Sequence, residues 1–597
     1  MPTSNSDGTL GRARAARRPG GAPPRAATNG VDAPEAEKLL FRAAGGTDLA
    51  VCLVYPNTYP VAMANLGFQA IYRILATNPR VFCDRAYLPA DESAAPARSF
   101  GTRRLLADFD VLAFSVSFET DYVNVLAILA AAGLPLGRSQ RVQAGRGPLV
   151  IAGGPATFLN PEPLADFVDL FLIGEGEEMV PEFLDVMLSV SGAPRADVLE
   201  AVRAVRGAYV PEHYTPRYGA DGRLQAFEHA YEGSGRVERR LIADLDAFPT
   251  TTQVLAPGAV FGDMFMVEAS RGCEWGCRFC AAGYMYRPVR YRSQEALRAA
   301  AAEGLAHRTT IGLVGAEMAS LPGVAGLCER IAAAGGRPSP SSLKADVITR
   351  RLATALAAGG NRSVTMAPEA GSERMRRVIN KNLTEEEILR AARWLIGEGV
   401  DGLKLYFMVG LPTERDEDVD AIADLVERLR SLPEISGRIR ALGLSVNPFV
   451  PKPWTPFQWD AMECLDGLRR KLTRLRRRLQ RYANVTVDTE SPREAYYQTL
   501  LSRGDRRVGG VLAEIHRRHG AWWEVLQELR RSGGRSDVLP SPDFYVHRTY
   551  DVDELLPWAF IDHGIDDRFL VAERRKAFAA FQTPPCDVAT CHACAAC

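Results

Sequence analysis

Histidine is scarce: the chain has eight in 597 residues, and the first is His213. The first third therefore supplies no imidazole of its own. No run approaches the roughly 18 uninterrupted apolar residues of a membrane span, so no membrane partner is expected. Charge of either sign is not in excess, since Lys+Arg and Asp+Glu both total 72. That balance removes any global attraction to nucleic acid or to an anionic membrane and leaves only local basic patches. The opening "MPTSNSDGTLGRARAARRPGGAPPRAATNG" lacks the apolar core of a secretory signal. Its Arg, Ala, Gly and Pro content reads as a disordered tail over residues 1–36. Cysteine is sparse too, with eleven in all. Cys52, Cys83, Cys328 and Cys464 stand alone; the other seven fall into two groups. Grouped thiols in a large chain without a secretory signal read as metal ligands in a reducing, cytoplasmic setting, not as a disulfide framework.

What is present is an α/β pattern. A length of 597 residues with 47% hydrophobic residues exceeds one core and predicts two or three globular domains. From residue 37 apolar runs alternate with helical spacing: "LAVCLVYPN", a helical stretch over Val61–Asn78, "DVLAFSVSF", "PLVIAGG" and "VDLFLIGEGE". This predicts a parallel sheet covered on both faces, flavodoxin- or Rossmann-like, over 37–190. Ligands of such sheets sit at the carboxyl ends of the strands, which makes Ser115, Ser117, Gly153 and Gly154 candidates for cofactor contact. Residues 191–258 form a linking element with a hairpin around a D-G turn. A second series follows over 259–456, with strands in "MFMVEAS", "TIGLVGA", "SPSSLKA", "SVTMAPEA", "GLKLYFMVGLP" and "ALGLSVNPFV" and helices between them. Six βα steps predict a partial (β/α)6 TIM-like barrel. Residues 457–585 read as helical. Within them, one helix carries leucines from Leu465 to Leu479 on one stripe and eight basic residues opposite, either a solvated face or an RNA contact.

The stretch "EASRGCEWGCRFCAAGYMYRPVRYR" places Cys273, Cys277 and Cys280 after the first barrel strand, on the face where such barrels carry their chemistry. A closed zinc site or an iron–sulfur cube takes four protein ligands, and no fourth Cys or His follows Cys280 nearby. Three thiolates would leave one iron of a 4Fe-4S cluster open to a ligand.

The C-x3-C-x2-C spacing with Phe279 before the last cysteine resembles that of the radical S-adenosylmethionine superfamily. The chain from about residue 40 onward is similar to the branch that carries an N-terminal cobalamin-binding-like domain. The resemblance implies that Cys273, Cys277 and Cys280 hold the cluster and that its open iron binds S-adenosylmethionine. Reductive cleavage would then give a 5′-deoxyadenosyl radical. By the same resemblance Phe279 packs near the adenine. "GLVGAEM" makes Gly315, Ala316 and Glu317 contacts to the amino group, with Ala316 departing from the family's second glycine. "APEAGSERMRRVINK" assigns Glu369 and Ser372, and "FMVGLPTE" assigns Gly410 and Pro412. The front domain would hold cobalamin (B12) without a histidine beneath the cobalt; the other reading is a remnant domain kept as a lid or dimer surface. The implied activity is methylation of an unreactive carbon, with cobalamin-independent chemistry such as methylthiolation as the alternative.

The chain ends "PPCDVATCHACAAC", in which Cys586, Cys591, Cys594 and Cys597 could close around a second cluster or a zinc ion, or stay as reactive thiols. A substrate (small metabolite, RNA or peptide) and an electron donor such as flavodoxin or ferredoxin are the expected partners. A reading of a different class is an iron–sulfur scaffold that binds RNA or protein.

Overall fold

The computed structural model describes residues 37–89, 96–145, 147–231, 234–535, 539–588, 590–591 and 593–596. The tail over 1–36 and Cys597 lie outside the described residues.

The front sheet contains β1 (Leu49–Tyr55), β2 (Val81–Tyr87), β3 (Val111–Ser115), β4 (Leu149–Gly153), β5 (Leu170–Leu172) and β6 (Ala208–Tyr209). Their order is β2-β1-β3-β4-β5-β6, and only β6 runs antiparallel. The five parallel strands have the 2-1-3-4-5 order of flavodoxin-like sheets. Strand periodicity explains the double cover. Leu49, Val51 and Leu53 enter one apolar cluster, while Ala50, Cys52 and Val54 enter another that is continuous with the barrel core.

Details of this domain differ from the pattern reading. The helical stretch over 61–78 is two helices, Tyr59–Ala62 and Leu66–Thr77, because Asn65 caps the second by accepting from the Phe68 amide at 2.9 Å. The strand read in "VDLFLIGEGE" is only three residues long. It stops at Leu172, and two residues on Gly174, with φ of 124°, lies too close to the Arg240 backbone to carry a side chain. The β2 strand, "VFCDRAY", has polar residues in its middle and was not legible as a strand; Asp84 is buried there by bonds from the Thr102 amide and hydroxyl, both 2.7 Å.

The second series forms an arc of parallel strands: β7 (Met264–Glu268), β8 (Thr310–Val314), β9 (Arg337–Pro340), β10 (Ser363–Glu369), β11 (Gly402–Val409), β12 (Ala441–Pro448) and β13 (Val485–Thr489). A parallel bridge, Leu343 to Met366, joins the first three strands to the last four. The region read as wholly helical after 456 thus contributes a seventh strand, which pairs with β12 in register from Leu442↔Val485. It escaped notice because a strand at the sheet's end needs no continuous apolar run. The hairpin in the linking element is present as Tyr214–Tyr218 against Leu224–His229.

The basic helix, Leu465–Leu479, buries its leucine stripe. Its arginines meet the acidic helix Asp416–Ser431: Arg474 reaches Asp420 at 2.5 Å, Arg478 reaches Asp424 at 2.7 Å, and Arg481 reaches Glu427 at 2.7 Å. Much of the basic face is therefore neutralised within the chain. Beyond it, C-terminal helices fasten the front sheet from above. Asn160 donates to the Ser502 and Gly504 carbonyls at 3.1 and 2.6 Å, and Arg506 pairs with Glu162 at 3.0 Å. Among the described residues no helix is long and apolar enough to cross a membrane.

At this junction Asp121 is 3% exposed; one carboxylate oxygen accepts from Asn57 at 2.8 Å and the other has no partner. Burial raises its pKa from 3.8 to about 7, with Glu119 adding to the shift. A carboxyl whose folded pKa is raised loses stability as pH climbs through the folded value. Asp121→Asn should therefore stabilise the fold little near pH 4, close to the unfolded value, and by up to about 4 kcal/mol at pH 8. Thermal unfolding of both proteins at the two pH values checks this; an equal shift at both would refute the assignment.

Candidate active site

The cysteine loop begins where β7 ends and is pinched at its base by a short antiparallel pairing, Ser270–Arg271 with Tyr291–Arg290. Within it Cys277 and Cys280 both bear on the ionisation of Cys273, and Cys280 bears on that of Cys277. Burial first, then Cys277 and Cys280, push the Cys273 thiol far up. Burial pushes Cys277 up to about 11 against the opposing pull of Lys381, and burial also raises Cys280. These groups are therefore held as neutral thiols when nothing is bound, so binding a cationic centre would release protons. No disulfide joins the described cysteines. Among the described residues no three His, Cys, Asp or Glu side chains form a ready-made single-ion site. A cube differs in kind from a single ion, because each thiolate takes its own iron.

The loop is held from behind. Arg278, between two of the cysteines, is fully buried and points away from them. Its guanidinium meets Glu573 at 3.0 Å and donates to the Arg377, Val378 and Phe581 carbonyls at 3.0, 2.9 and 2.8 Å. Asn380 donates to the Gly276 carbonyl at 3.0 Å. At the base, Arg271 contacts Glu268 at 2.9 Å and Glu177 at 2.7 Å, and Arg290 contacts Glu175 at 2.6 Å. Glu175 and Glu177 belong to the front domain, so the "GEGEE" turn after β5 clamps the cysteine loop.

Of the other residues read from the sequence, Glu369 bears on the ionisation of Cys277 and Cys280. It ends β10 with φ of 67°, a conformation uncommon for a residue other than glycine, at a break in the β10–β11 register. Its carboxylate lies 3.6 Å from Lys381 Nζ. Burial opposes the Lys381 charge, yet Glu369 and all three cysteines outweigh it and hold the ammonium charged. Glu317 lines a small cavity with Cys273, Trp275, Tyr291 and Ser320. Its oxygens accept from the Ala319, Ser320 and Lys344 amides at 2.6, 2.7 and 3.2 Å. Gly315 has no room for a Cβ, which would fall 2.5 Å from Ser270 Oγ, and Ala316 is exposed beside it.

Phe279 is half-buried against an apolar patch that includes Leu411, Phe449 and Phe457. That brings it to the turn carrying Gly410 and Pro412. Gly410 has φ of 82° and donates its amide to Glu414 at 2.6 Å. The Ser372 hydroxyl caps the helix Glu373–Val378 and donates to Asp418 at 2.5 Å.

In the front domain Ser115 pairs with Gly153 at the strand ends, and Ser117 accepts from Asn65 at 3.0 Å. Gly154 is required by the chain itself, since a Cβ there would lie 2.6 Å from the Val116 carbonyl oxygen. Beside them Phe118 is 51% exposed on the same edge. The sequence reading missed Arg278, Lys381 and the clamp of Arg271 and Arg290 on Glu175 and Glu177. The available signal was five arginines between 271 and 292, flanking three thiols.

Removing Arg278 takes one of two cationic partners from the buried Glu573, which keeps Lys576 at 2.7 Å and Thr583, and leaves three carbonyls without this donor; such a loss costs about 1–3 kcal/mol. Arg278→Ala should lower the unfolding temperature and the iron retained after anaerobic reconstitution. Iron content and stability equal to the unchanged protein would show that the anchor is dispensable.

Two family models match this chain: "Radical SAM proteins, N-terminal" over residues 67–211 and "Radical SAM superfamily" over 267–426. An uncharacterized protein of Methanocaldococcus jannaschii, MJ0966, is 30% identical over 411 residues, 68% of this chain and 80% of that protein. Among solved structures, the cobalamin-dependent S-adenosylmethionine radical enzyme OxsB with aqua-cobalamin bound is 16% identical. That match covers 64% of this chain and 52%, about half, of OxsB, with a TM-score of 0.43. The radical S-adenosylmethionine methyltransferase TsrM from Kitasatospora setae, with cobalamin and a 4Fe-4S cluster bound, is 15% identical. It covers 69% of this chain and 74% of TsrM, with a TM-score of 0.44.

Proposed function

Since the chain belongs to the radical S-adenosylmethionine superfamily, we propose that Cys273, Cys277 and Cys280 hold a 4Fe-4S cluster whose open iron binds S-adenosylmethionine. The observation that carries this is three thiols on one anchored loop, Cys277 buried and Cys273 and Cys280 half-buried, with Lys381 and Glu369 beside them. A cluster held by Cys273, Cys277 and Cys280 would supply reductive chemistry: an electron taken from an external donor would pass to S-adenosylmethionine, cleaving it to methionine and a 5′-deoxyadenosyl radical.

The protein's part is placement. Lys381 offsets negative charge next to the thiolates, and Glu369, held at the strand end by its strained backbone, faces the same space. Glu317 and the turn at Gly410 and Pro412 frame the rest of the molecule, with Phe279 as the apolar wall between them.

The finer reading is methyl transfer to an unreactive carbon, with cobalamin held by the front domain. What supports it is the partly open carboxyl edge of β3 and β4, where Ser115, Ser117 and Gly153 sit beside a half-exposed phenylalanine. Such an edge fits a flat ring ligand. Cobalamin would supply a carrier for the methyl group, with no histidine from residues 37–190 beneath the cobalt. A low-potential flavodoxin or ferredoxin is the matching electron donor. The RNA-binding scaffold finds less support, because its basic helix is paired with acidic residues of this chain.

Anaerobic protein with S-adenosylmethionine and a strong reductant should form 5′-deoxyadenosine, and Cys280→Ala should form none. Protein from cobalamin-supplied cells should carry stoichiometric cobalt, retained in Cys280→Ala. Absence of cobalt would remove the methyl-carrier reading alone; absence of 5′-deoxyadenosine from the reconstituted protein would remove the central one.

A further inference from the structure

The last turn of the helix Asp567–Phe578 carries a surface that the chemistry above does not use. The helix buries Leu570, Glu573 and Ala577 and leaves Phe578 52% exposed. Three positions on, Phe581 is 63% exposed. Among the described residues four phenylalanines are exposed to this degree, and two of them stand here as neighbours. Single apolar side chains on a surface are ordinary, whereas adjacent aromatic rings point to a face that is covered in use.

The rim of this pair is basic. Arg575 is exposed and forms no ion pair among the described residues. Arg377, also exposed, meets Glu373 at 3.7 Å, a carboxylate it shares with Arg376. Lys576 meets Glu573 at 2.7 Å, a carboxylate it shares with Arg278. Each carboxylate is outnumbered by its cations, and with Arg575 added the rim stays positive even against Asp587 of the tail.

This face is fixed to the cysteine loop by two routes. Arg278, the residue after Cys277, donates to the Arg377 and Phe581 carbonyls at 3.0 and 2.8 Å, so both helix ends hang on one guanidinium. Asn380 accepts from the Thr583 amide at 2.8 Å and donates at 3.0 Å to the carbonyl of Gly276, the residue before Cys277. One arginine side chain and one hydrogen bond therefore separate the exposed Phe581 from a candidate cluster ligand. An electron entering here has a short, rigid path.

We propose that Phe578 and Phe581, within the rim of Arg377, Arg575 and Lys576, form the docking face for an acidic, low-potential flavodoxin that reduces the cluster. This rests on the reading of Cys273, Cys277 and Cys280 given above. A flat, apolar flavin edge ringed by carboxylates matches two phenyl rings ringed by cations. A small face suffices, because electron-transfer partners meet through less than about 1,200 Å² and part again. The reduced flavin is oxidised by one electron and the cluster is reduced by one.

5′-Deoxyadenosine formation is followed without oxygen on full-length reconstituted protein, with dithionite or with rising concentrations of reduced flavodoxin. The unchanged chain, R575E and F578S are compared. Each variant should need about tenfold more flavodoxin to reach half its maximal rate, with the dithionite-driven rate unchanged. The flavodoxin-driven rate of the unchanged chain should fall as salt rises, and R575E should flatten that dependence. If F578S fails to fold, R575E decides alone. An unaltered flavodoxin requirement overturns the proposal, as does an equal loss with dithionite, which would mark a structural role. A dimer of the unchanged chain that F578S splits, with the flavodoxin requirement unaltered, would assign the face to a second copy instead. No 5′-deoxyadenosine from the unchanged chain with dithionite would refute the cluster reading, and this face with it; a normal dithionite reaction with indifferent variants refutes the face alone.

Discussion

The site depends on fixing a loop that has no structural reason of its own to be rigid. Between Gly272 and Ala281 the cysteine loop carries no helix or strand, and its thiols must face one way while its backbone polar groups are satisfied from the other. Buried guanidinium groups do this. One arginine supplies up to five donors in a planar fork, enough to bond several carbonyls and a carboxylate at once. Arg278 does so from between two cysteines, reaching three carbonyls and Glu573. Burying such ions brings little net stability, but it excludes alternative positions of the loop, because any displacement strands a charge.

The same physics joins the domains. Arg271, Arg290 and Arg292 stand at the base of the loop; Glu268 of the barrel and Glu175 and Glu177 of the front domain are their partners. The front sheet is therefore coupled to the cysteine loop through charge, whatever its strand ends carry. On the opposite flank Lys471 meets Glu414 at 2.8 Å and Glu463 at 2.6 Å, and Glu414 accepts from the Gly410 amide. Elements far apart in sequence thus hold each edge of the space above the barrel.

Much of this was legible in the residues. The front sheet's apolar runs, the barrel's first six strands and the helices between them follow from periodicity. The helices Gln294–Leu305 and Arg350–Ala358 have the bounds their patterns suggest. What escaped had a local reason: β2 has a polar centre, β13 lacks a continuous apolar run, and the helix over 61–78 is split by an asparagine cap. The basic helix looked like a surface for RNA because its acidic counterpart lies some fifty residues earlier in the chain.

The sequence by itself determined where three thiols can meet, because C-x3-C-x2-C confines them to one turn of backbone after a strand. It equally determined the two α/β layers, since strand alternation and helical spacing are local properties. Tertiary structure alone decided what surrounds those thiols. Lys381 faces them across from Glu369, Glu177 reaches Arg271 from 94 residues away, and Cys586 bonds to the residue beside Cys273. Those pairings are charge and hydrogen-bond matches between distant segments. Pattern shows that a buried arginine will need partners; only the folded chain shows which partners come within reach.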